Sequence, residues 1–333
     1  MPHADAVDRK RVGIAGIGPA GLQHARAVAA AGHLVTAAAA SRTDSPNVAG
    51  FLTAAPGARI LKGLDALLAE PNLDALVIAL PWHETPRHLP RLLVDPRPML
   101  IEKPIGLTAD AIDAATSRAG AQAANKMIGF NRRFYGTAGR VRQRLREGAL
   151  RAVRLTISED LSRQTRAHGP EIVPHLLAFS SAHTLDLTLH LLGPLDIVKL
   201  QGHREAAAPF LSMNGLLQTR AGVPVLMTLN ASDPSPAGVS FVFADHTTWT
   251  LSPIEMLAVY DRYEVVELRP GSQIRRYMPH VREFFDESAD FKPGFVPQMA
   301  AFLSGRFGQG ATVGDALALQ RFVEAMTAAA GGR

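Results

Sequence analysis

Cysteine is absent from the 333-residue chain, and its absence removes a range of chemistry at once. There can be no disulfide framework, no thiolate nucleophile and no Cys-ligated zinc or iron–sulfur centre. Long apolar runs are missing too. Charges or prolines cut each of them well before the ~18 residues a membrane-spanning helix needs, so no membrane partner is expected. The first ten residues are polar and lack the apolar stretch of a secretory leader, and a cytoplasmic location is the expectation. No strong charge of either sign dominates. The formal net charge is +5, 20% of residues are charged and 47% are hydrophobic, which argues for a packed core rather than a disordered chain. The densest basic run, Arg132 to Arg154, is interleaved with Val141, Leu145 and Leu150, as on a solvated helix face. No nucleic-acid motif accompanies it, so no nucleic-acid partner is expected. His168, Glu171 and His175 have a spacing that would align them on a helix, but Gly169-Pro170 and Pro174 interrupt one there. No metal site is expected.

What is present has a rhythm that changes partway along. The length suits two domains. Up to about residue 131, short apolar runs (Arg11–Ala15, Leu34–Ala40, Ala75–Leu80, Met99–Ile101, Met127–Phe130) alternate with helical patterns such as Leu64–Ala69 and Thr108–Ala119. Strand–helix alternation of this kind predicts right-handed βαβ units and a parallel sheet covered on both faces. Beyond it come a basic helix near Ala138–Glu147, a strand Ala152–Ser158 and a helix over 180–192. Short alternating strands then follow from Ile197 to Leu268, with two helices near Val296–Leu303 and Val313–Ala329. The expected class is α/β: an N-terminal Rossmann parallel sheet over 1–131, plus a C-terminal α+β domain over 132–333 with an open, mostly antiparallel sheet.

Gly16-Ile17-Gly18-Pro19-Ala20-Gly21 sits between the first strand and a helical segment. That context gives each glycine of a G-x-G-x-x-G loop a physical purpose. Gly16 permits a tight turn, Gly18 lets a pyrophosphate approach closely, and Gly21 lets helix and strand pack. The helix N-terminus would add free N–H groups and partial positive charge. At the end of the second strand an acidic residue would bind the ribose hydroxyls of NAD. Ser41-Arg42-Thr43 stands there instead, and a hydroxyl beside a guanidinium suits a 2′-phosphate. NADP is therefore the preferred cofactor, with NAD the alternative. Glu102-Lys103-Pro104 follows the strand Met99–Ile101, at the edge where open α/β sheets bind ligands, and a lysine there can orient a reacting oxygen.

Taken in order, the glycine loop, Leu76-Val77-Ile78-Ala79-Leu80-Pro81, Glu102-Lys103-Pro104 and Gly129-Phe130-Asn131-Arg132-Arg133-Phe134 resemble the Gfo/Idh/MocA oxidoreductases (glucose–fructose oxidoreductase and inositol dehydrogenase among them). Ser181-Ala182-His183-Thr184-Leu185-Asp186 with Leu192-Gly193 extends the resemblance over nearly the whole chain. It implies reversible hydride transfer at a sugar or cyclitol carbon, with Lys103 and His183 beside the substrate. Asp186, three residues after His183, would share its helix face. It also implies cofactor contacts from Pro81 and Glu102 and substrate contacts from Asn131, Arg132 and Trp82. An open sheet must cover its outer face, so a homodimer or homotetramer through the second domain is expected. Two positions depart from the family. An aspartate is common four residues before the histidine, where this chain has Phe179. The usual Pro-Asn is here Pro81-Trp82. Pro-Trp, the Asn-Arg-Arg-Phe-Tyr run, Leu251–Glu255 and Phe291–Phe295 resemble members of surface-polysaccharide and sugar-nucleotide pathways. The expected substrate is a carbohydrate, nucleotide-linked in that case. The loss at Phe179 keeps open a cofactor-binding protein with little turnover, as well as an epimerase or lyase that uses its cofactor transiently.

Overall fold

The computed structural model describes residues 9–205, 208–271, 273–287 and 291–331. Most of the N-terminal segment in which no leader is expected, residues 1–8, lies outside them. The chain divides into two units. The first runs to Phe134 and takes in a later segment ending at Arg321; the second begins at Tyr135 and takes in the chain from Phe322.

The first unit is built from β1 (Arg11–Ala15), α1 (Pro19–Ala30), β2 (Leu34–Ala40), α2 (Asn47–Ala54), β3 (Arg59–Lys62), α3 (Gly63–Leu68), β4 (Ala75–Ile78), α4 (Thr85–Val94), β5 (Met99–Ile101), α5 (Ala109–Ala119) and β6 (Lys126–Ile128). All six strands run parallel, in the order β3-β2-β1-β4-β5-β6. That is the doubly wound order, with its switch point between β1 and β4, and a dinucleotide crevice lies at the strand ends there. The sequence dictates much of this. β4, β5 and β6 are buried along their whole length, as unbroken apolar strands between two helical layers must be. α5 starts where the Thr108 side chain accepts a bond from Ala111 N at 3.2 Å and stops at Gly120, whose φ is +55°. Two strands are shorter than the apolar runs suggested. β4 ends at Ile78, so that Ala79-Leu80 already belongs to the ligand-side loop. The last strand spans Lys126–Ile128, and Gly129-Phe130 leave the sheet. Apolar composition continued there because these loop residues are themselves covered.

The second unit contains α6 (Gly136–Glu147), β7 (Leu150–Ser158), α7 (Leu161–His168), a π-helical turn at Leu177–Ser181, α8 (Ala182–Leu192), and β8 (Leu195–Glu205), β9 (Ala208–Thr219), β10 (Pro224–Asn230), β11 (Gly238–Phe243), β12 (Thr248–Leu251), β13 (Met256–Glu267) and β14 (Arg275–Asp286). One sheet holds all eight strands in the order β14-β13-β12-β11-β7-β10-β9-β8, antiparallel except between β7 and β10. Val153, Leu155 and Ile157 of β7 and Val225, Met227 and Leu229 of β10 face inward while their neighbours are more exposed, the alternation of a sheet with one covered face. β14 lies beyond the strands expected from sequence. Its charged residues and Pro279 are largely solvated on both faces, so no alternation marks it. The remaining helices are α9 (Phe295–Leu303) and α10 (Val313–Ala330). α9 closes the first unit's core, where Phe295, Met299 and Phe302 join Val12, Ile14 and Val28.

One ionisable group is held inside the first unit. Lys126 is 1% exposed, and its Nζ donates to Asp95 O at 2.7 Å, Arg97 O at 2.9 Å and Asn125 Oδ1. Burial pulls its pKa down to about 8, with Asp95 opposing and Arg97 assisting the shift. In the unfolded chain it titrates near ~10.4. Between those values the unfolded state holds a proton that the folded state has lost, so raising the pH across this window favours folding. Denaturant unfolding from pH 8 to 10.5 is expected to show this gain in the parent protein and to lose it in Lys126→Met.

Candidate nucleotide site and catalytic helix

In the first unit the turn from β1 into α1 is the most constrained piece of backbone. Gly16 has φ +96°, and a Cβ there would lie 2.2 Å from the Ala79 carbonyl oxygen. A Cβ on Gly21 would lie 1.9 Å from the Gly16 carbonyl oxygen. Helix, turn and neighbouring strand are thus packed backbone to backbone, which only glycine permits. Gly18 differs: nothing lies within 4 Å of the Cβ it lacks. That open space fronts the N-terminus of α1, where Gly18 is the N-cap, no side chain caps the helix and no acidic residue stands in the first turn. Uncapped N–H groups with open space before them form an anion cradle, and the residues present fit a dinucleotide pyrophosphate.

The other expected residues of this unit follow the strand ends. After β2, Arg42 is well exposed and its Nε donates to Asp44 Oδ1 at 3.1 Å, with Ser41 exposed beside it. After β4, Pro81 is exposed and Trp82 half-buried, its ring edge-on to His83 with centroids 5.5 Å apart. After β5, Glu102 N donates to Ile78 O at 2.8 Å, and the Lys103–Pro104 peptide is cis. The Glu102 side chain turns inward: Oε1 lies 2.8 Å from Nε2 of His24 on α1. Burial works against the ionised carboxylate, but the hydrogen bond from His24 and the positive charges of His24, Lys103 and Lys292 prevail and hold its pKa below the usual value. Past β6, Asn131 is buried, with Nδ2 donating to Pro293 O at 2.8 Å. Arg132 is half-buried, whereas Arg133 is buried and 3.4 Å from Asp315.

The second unit carries the other expected group. The π-helical turn at Leu177–Ser181 runs directly into α8, and such turns often re-aim side chains at functional sites. His183, half-buried, is the second residue of α8. Asp186, 1% exposed, lies three residues on, along the same face. Phe179 is within the turn, its ring edge-on to His168 with centroids 4.8 Å apart. Sequence reasoning missed a carboxylate here. Glu159, 8% exposed, accepts hydrogen bonds from Ser181 Oγ at 2.8 Å and from Ser180 Oγ. A signal existed: Val153, Leu155, Ile157 and Glu159 share the inward phase of β7, so the period of two already pointed Glu159 into the core. His24 was missed as well, though it stands three residues after Gly21 on a helix otherwise rich in alanine. Among the described residues no group of three or more His, Asp or Glu is placed to hold a metal ion, and no helix is long and apolar enough to cross a membrane.

A doubly wound sheet with a glycine cradle at its switch point and a lysine at an adjacent strand end is the arrangement of a dinucleotide-binding unit. Residues 10–130 match the Gfo/Idh/MocA family profile, described as an oxidoreductase family with an NAD-binding Rossmann fold. Among curated relatives, inositol 2-dehydrogenase of Rhizobium meliloti (strain 1021) is 28% identical over 231 residues, 66% of this chain and 68% of that protein. Two solved structures share the fold. UDP-N-acetylglucosamine 3-dehydrogenase from Acidithiobacillus ferrooxidans has a TM-score of 0.71 at 17% identity, over 97% of this chain and 98% of its own. Levoglucosan dehydrogenase in complex with NADH and L-sorbose has a TM-score of 0.74 at 13% identity, over 97% and 96%.

The three glycines separate by mechanism. Gly18→Val is expected to leave the thermal midpoint nearly unchanged while abolishing NAD(H) and NADP(H) binding in a fluorescence titration. Gly21→Ala is expected to cost about 2–4 kcal/mol of stability by forcing helix from strand, in the range of buried steric insertions.

Proposed function

We propose that this protein is an NAD(P)-dependent dehydrogenase or reductase that moves a hydride to or from a hydroxyl-bearing or ketone carbon of a carbohydrate, free or nucleotide-linked. The observation that carries the reading is the open Gly18 cradle in the same unit as Lys103 at the end of β5. The substrate class is supported by the relatives, which by name act on inositol, levoglucosan and a UDP-linked sugar. The dinucleotide supplies the hydride acceptor or donor. The chain's own groups handle position and proton. Gly16, Gly18 and Gly21 with the first turn of α1 hold the pyrophosphate. Ser41 and Arg42 take the ribose end, which makes NADP the preferred form. Pro81, Trp82 and Asn131 wall the reacting part, Arg132 is assigned to substrate contact in the first unit, and Asp186 is assigned to substrate contact in the second. Lys103 orients and polarises the reacting oxygen. His183 exchanges the proton, a role suited to an imidazole near neutral pH. Glu102 supports the cofactor side through its tie to α1 rather than by an exposed carboxylate. A cytoplasmic location is part of the proposal, consistent with a cysteine-free chain using a nicotinamide cofactor.

Phe179 favours a second reading, a cofactor-binding protein with little turnover. The buried Glu159 carboxylate beneath the same turn weighs against it, because the start of α8 retains an acidic partner.

We also propose a homodimer or homotetramer. Past Tyr260 the β13–β14 hairpin is largely exposed on both faces, and Tyr263, Val265, Tyr277 and Met278 are each half or more exposed. A two-stranded ribbon this apolar is poorly stable alone in water.

Two measurements test these assignments. With NAD(P) and a panel of sugars and sugar nucleotides followed at 340 nm, His183→Ala and Lys103→Ala are each expected to lower kcat by about 10²- to 10⁴-fold, the usual size of a general acid–base contribution. His183→Ala should spare cofactor affinity, and Arg42→Ala should weaken NADP much more than NAD. Equal losses for both cofactors would remove the Arg42 assignment. Failure of the parent to turn over any substrate, with activity appearing only in Phe179→Asp, would favour the second reading. Light scattering at micromolar concentration is expected to give at least twice the mass of one chain.

A further inference from the structure

The Glu102–His24 pair does more than fill space. Glu102 leaves the end of β5 one residue before Lys103, and its carboxylate crosses to α1, the helix whose N-terminus forms the anion cradle. The His24 side chain is 1% exposed and that of Glu102 13%. With the carboxylate ionised it can only accept, so His24 Nε2 is the donor. His24 Nδ1 is buried with no hydrogen-bond partner, and the pair is therefore held by Nε2 alone. Two features reserve the space. A Cβ on Gly129 would stand 2.9 Å from the Glu102 carboxylate, so the carboxylate lies directly against bare backbone there and would have to shift for any larger residue. The Phe295 ring lies against His24, with centroids 4.8 Å apart. Phe295 is also capped by Lys292 Nζ, 4.8 Å from the ring centroid, and Asn131 holds the intervening segment through Pro293 O. The charged groups acting on this carboxylate are thus His24 from α1, Lys103 beside it and Lys292 from the segment before α9. The ends of β5 and β6 and the helices α1 and α9 contribute to one buried polar nest around the carboxylate.

We propose that Glu102 and His24 are positioning residues for Lys103: the pair fastens the lysine's backbone to the cofactor helix and sets a fixed negative charge beside its ammonium. This rests on the reading of Lys103 as a group of the reaction, but its physical content does not need turnover. A carboxylate in a poorly solvated position stabilises a neighbouring ammonium strongly. Removing the charge should make Lys103 lose its proton more readily.

The experiment is competitive amine labelling of the NADP-free protein, read peptide by peptide by mass spectrometry between pH 6 and 11, with Lys199 of the second unit as internal reference. Glu102→Gln keeps the size and an acceptor while removing the charge. It is expected to raise the labelling of Lys103 relative to Lys199 about tenfold near pH 8, equivalent to a midpoint lowered by about one unit. Glu102→Ala removes the same charge and should shift it the same way, and it serves as the readout if Glu102→Gln does not fold. An unchanged Lys103 labelling curve in a folded variant overturns the proposal, whatever happens to activity. A shifted curve in a protein that turns over no substrate supports the pair and removes only the enzymatic reading.

Discussion

The first unit depends on a backbone crossing that tolerates no side chain. Where β1 turns into α1, the position of a Cβ on Gly21 falls 1.9 Å from the Gly16 carbonyl oxygen, and one on Gly16 falls 2.2 Å from that of Ala79. Because these three chain segments touch directly, α1 points its uncapped N-terminus over the carboxyl end of the sheet. Dipole, free N–H groups and open space at Gly18 follow from that single contact. The same close packing brings the inner face of α1 near enough to the end of β5 for His24 to reach Glu102, and the rest of the crevice is arranged around that reach.

Two ionisable groups show how this unit tolerates charge in its interior. Among the described residues Lys126 and Glu102 are both drawn into the core, and each is compensated differently. Lys126 finds two backbone carbonyls and the Asn125 amide oxygen, and burial still prevails, so its pKa falls. Glu102 finds a hydrogen-bond donor and nearby cations, which outweigh burial and keep it ionised. The difference lies in the partners: at Lys126 the hydrogen-bond acceptors are dipoles and the Asp95 charge is countered by that of Arg97, whereas on Glu102 a donor and several cations act together. A structural lysine and a carboxylate next to a catalytic candidate are thereby separated on physical grounds.

In the second unit the sheet's alternation carries an acidic residue inward. Glu159 continues the phase of Val153, Leu155 and Ile157, and it is accommodated because Ser180 and Ser181 of the π-helical turn donate to it. A turn that would otherwise bury unsatisfied hydroxyls is thus tied to the end of β7 immediately before His183. Phe179, within that turn, packs edge-on against His168.

The sequence alone determined what depends on local pattern. β1, β2 and β5 fall on the residues their apolar runs marked, because strands buried on both faces have no other composition. The glycine loop could be read because each glycine answers a steric demand of the βα turn. Asp186 could be placed beside His183 from helical spacing alone. Tertiary structure decided what depends on contact between distant segments. His24 and Glu102 are 78 positions apart, and neither announces the other. Asn131, expected to face substrate, gives its amide to a carbonyl 162 residues away. β14 had no alternation to read because both its faces are largely solvated, and α9 joined the first unit only through the burial of Phe295, Met299 and Phe302 against α1 and the sheet. A period in sequence reports which face a residue presents. The partner waiting on that face is fixed only when the chain closes on itself.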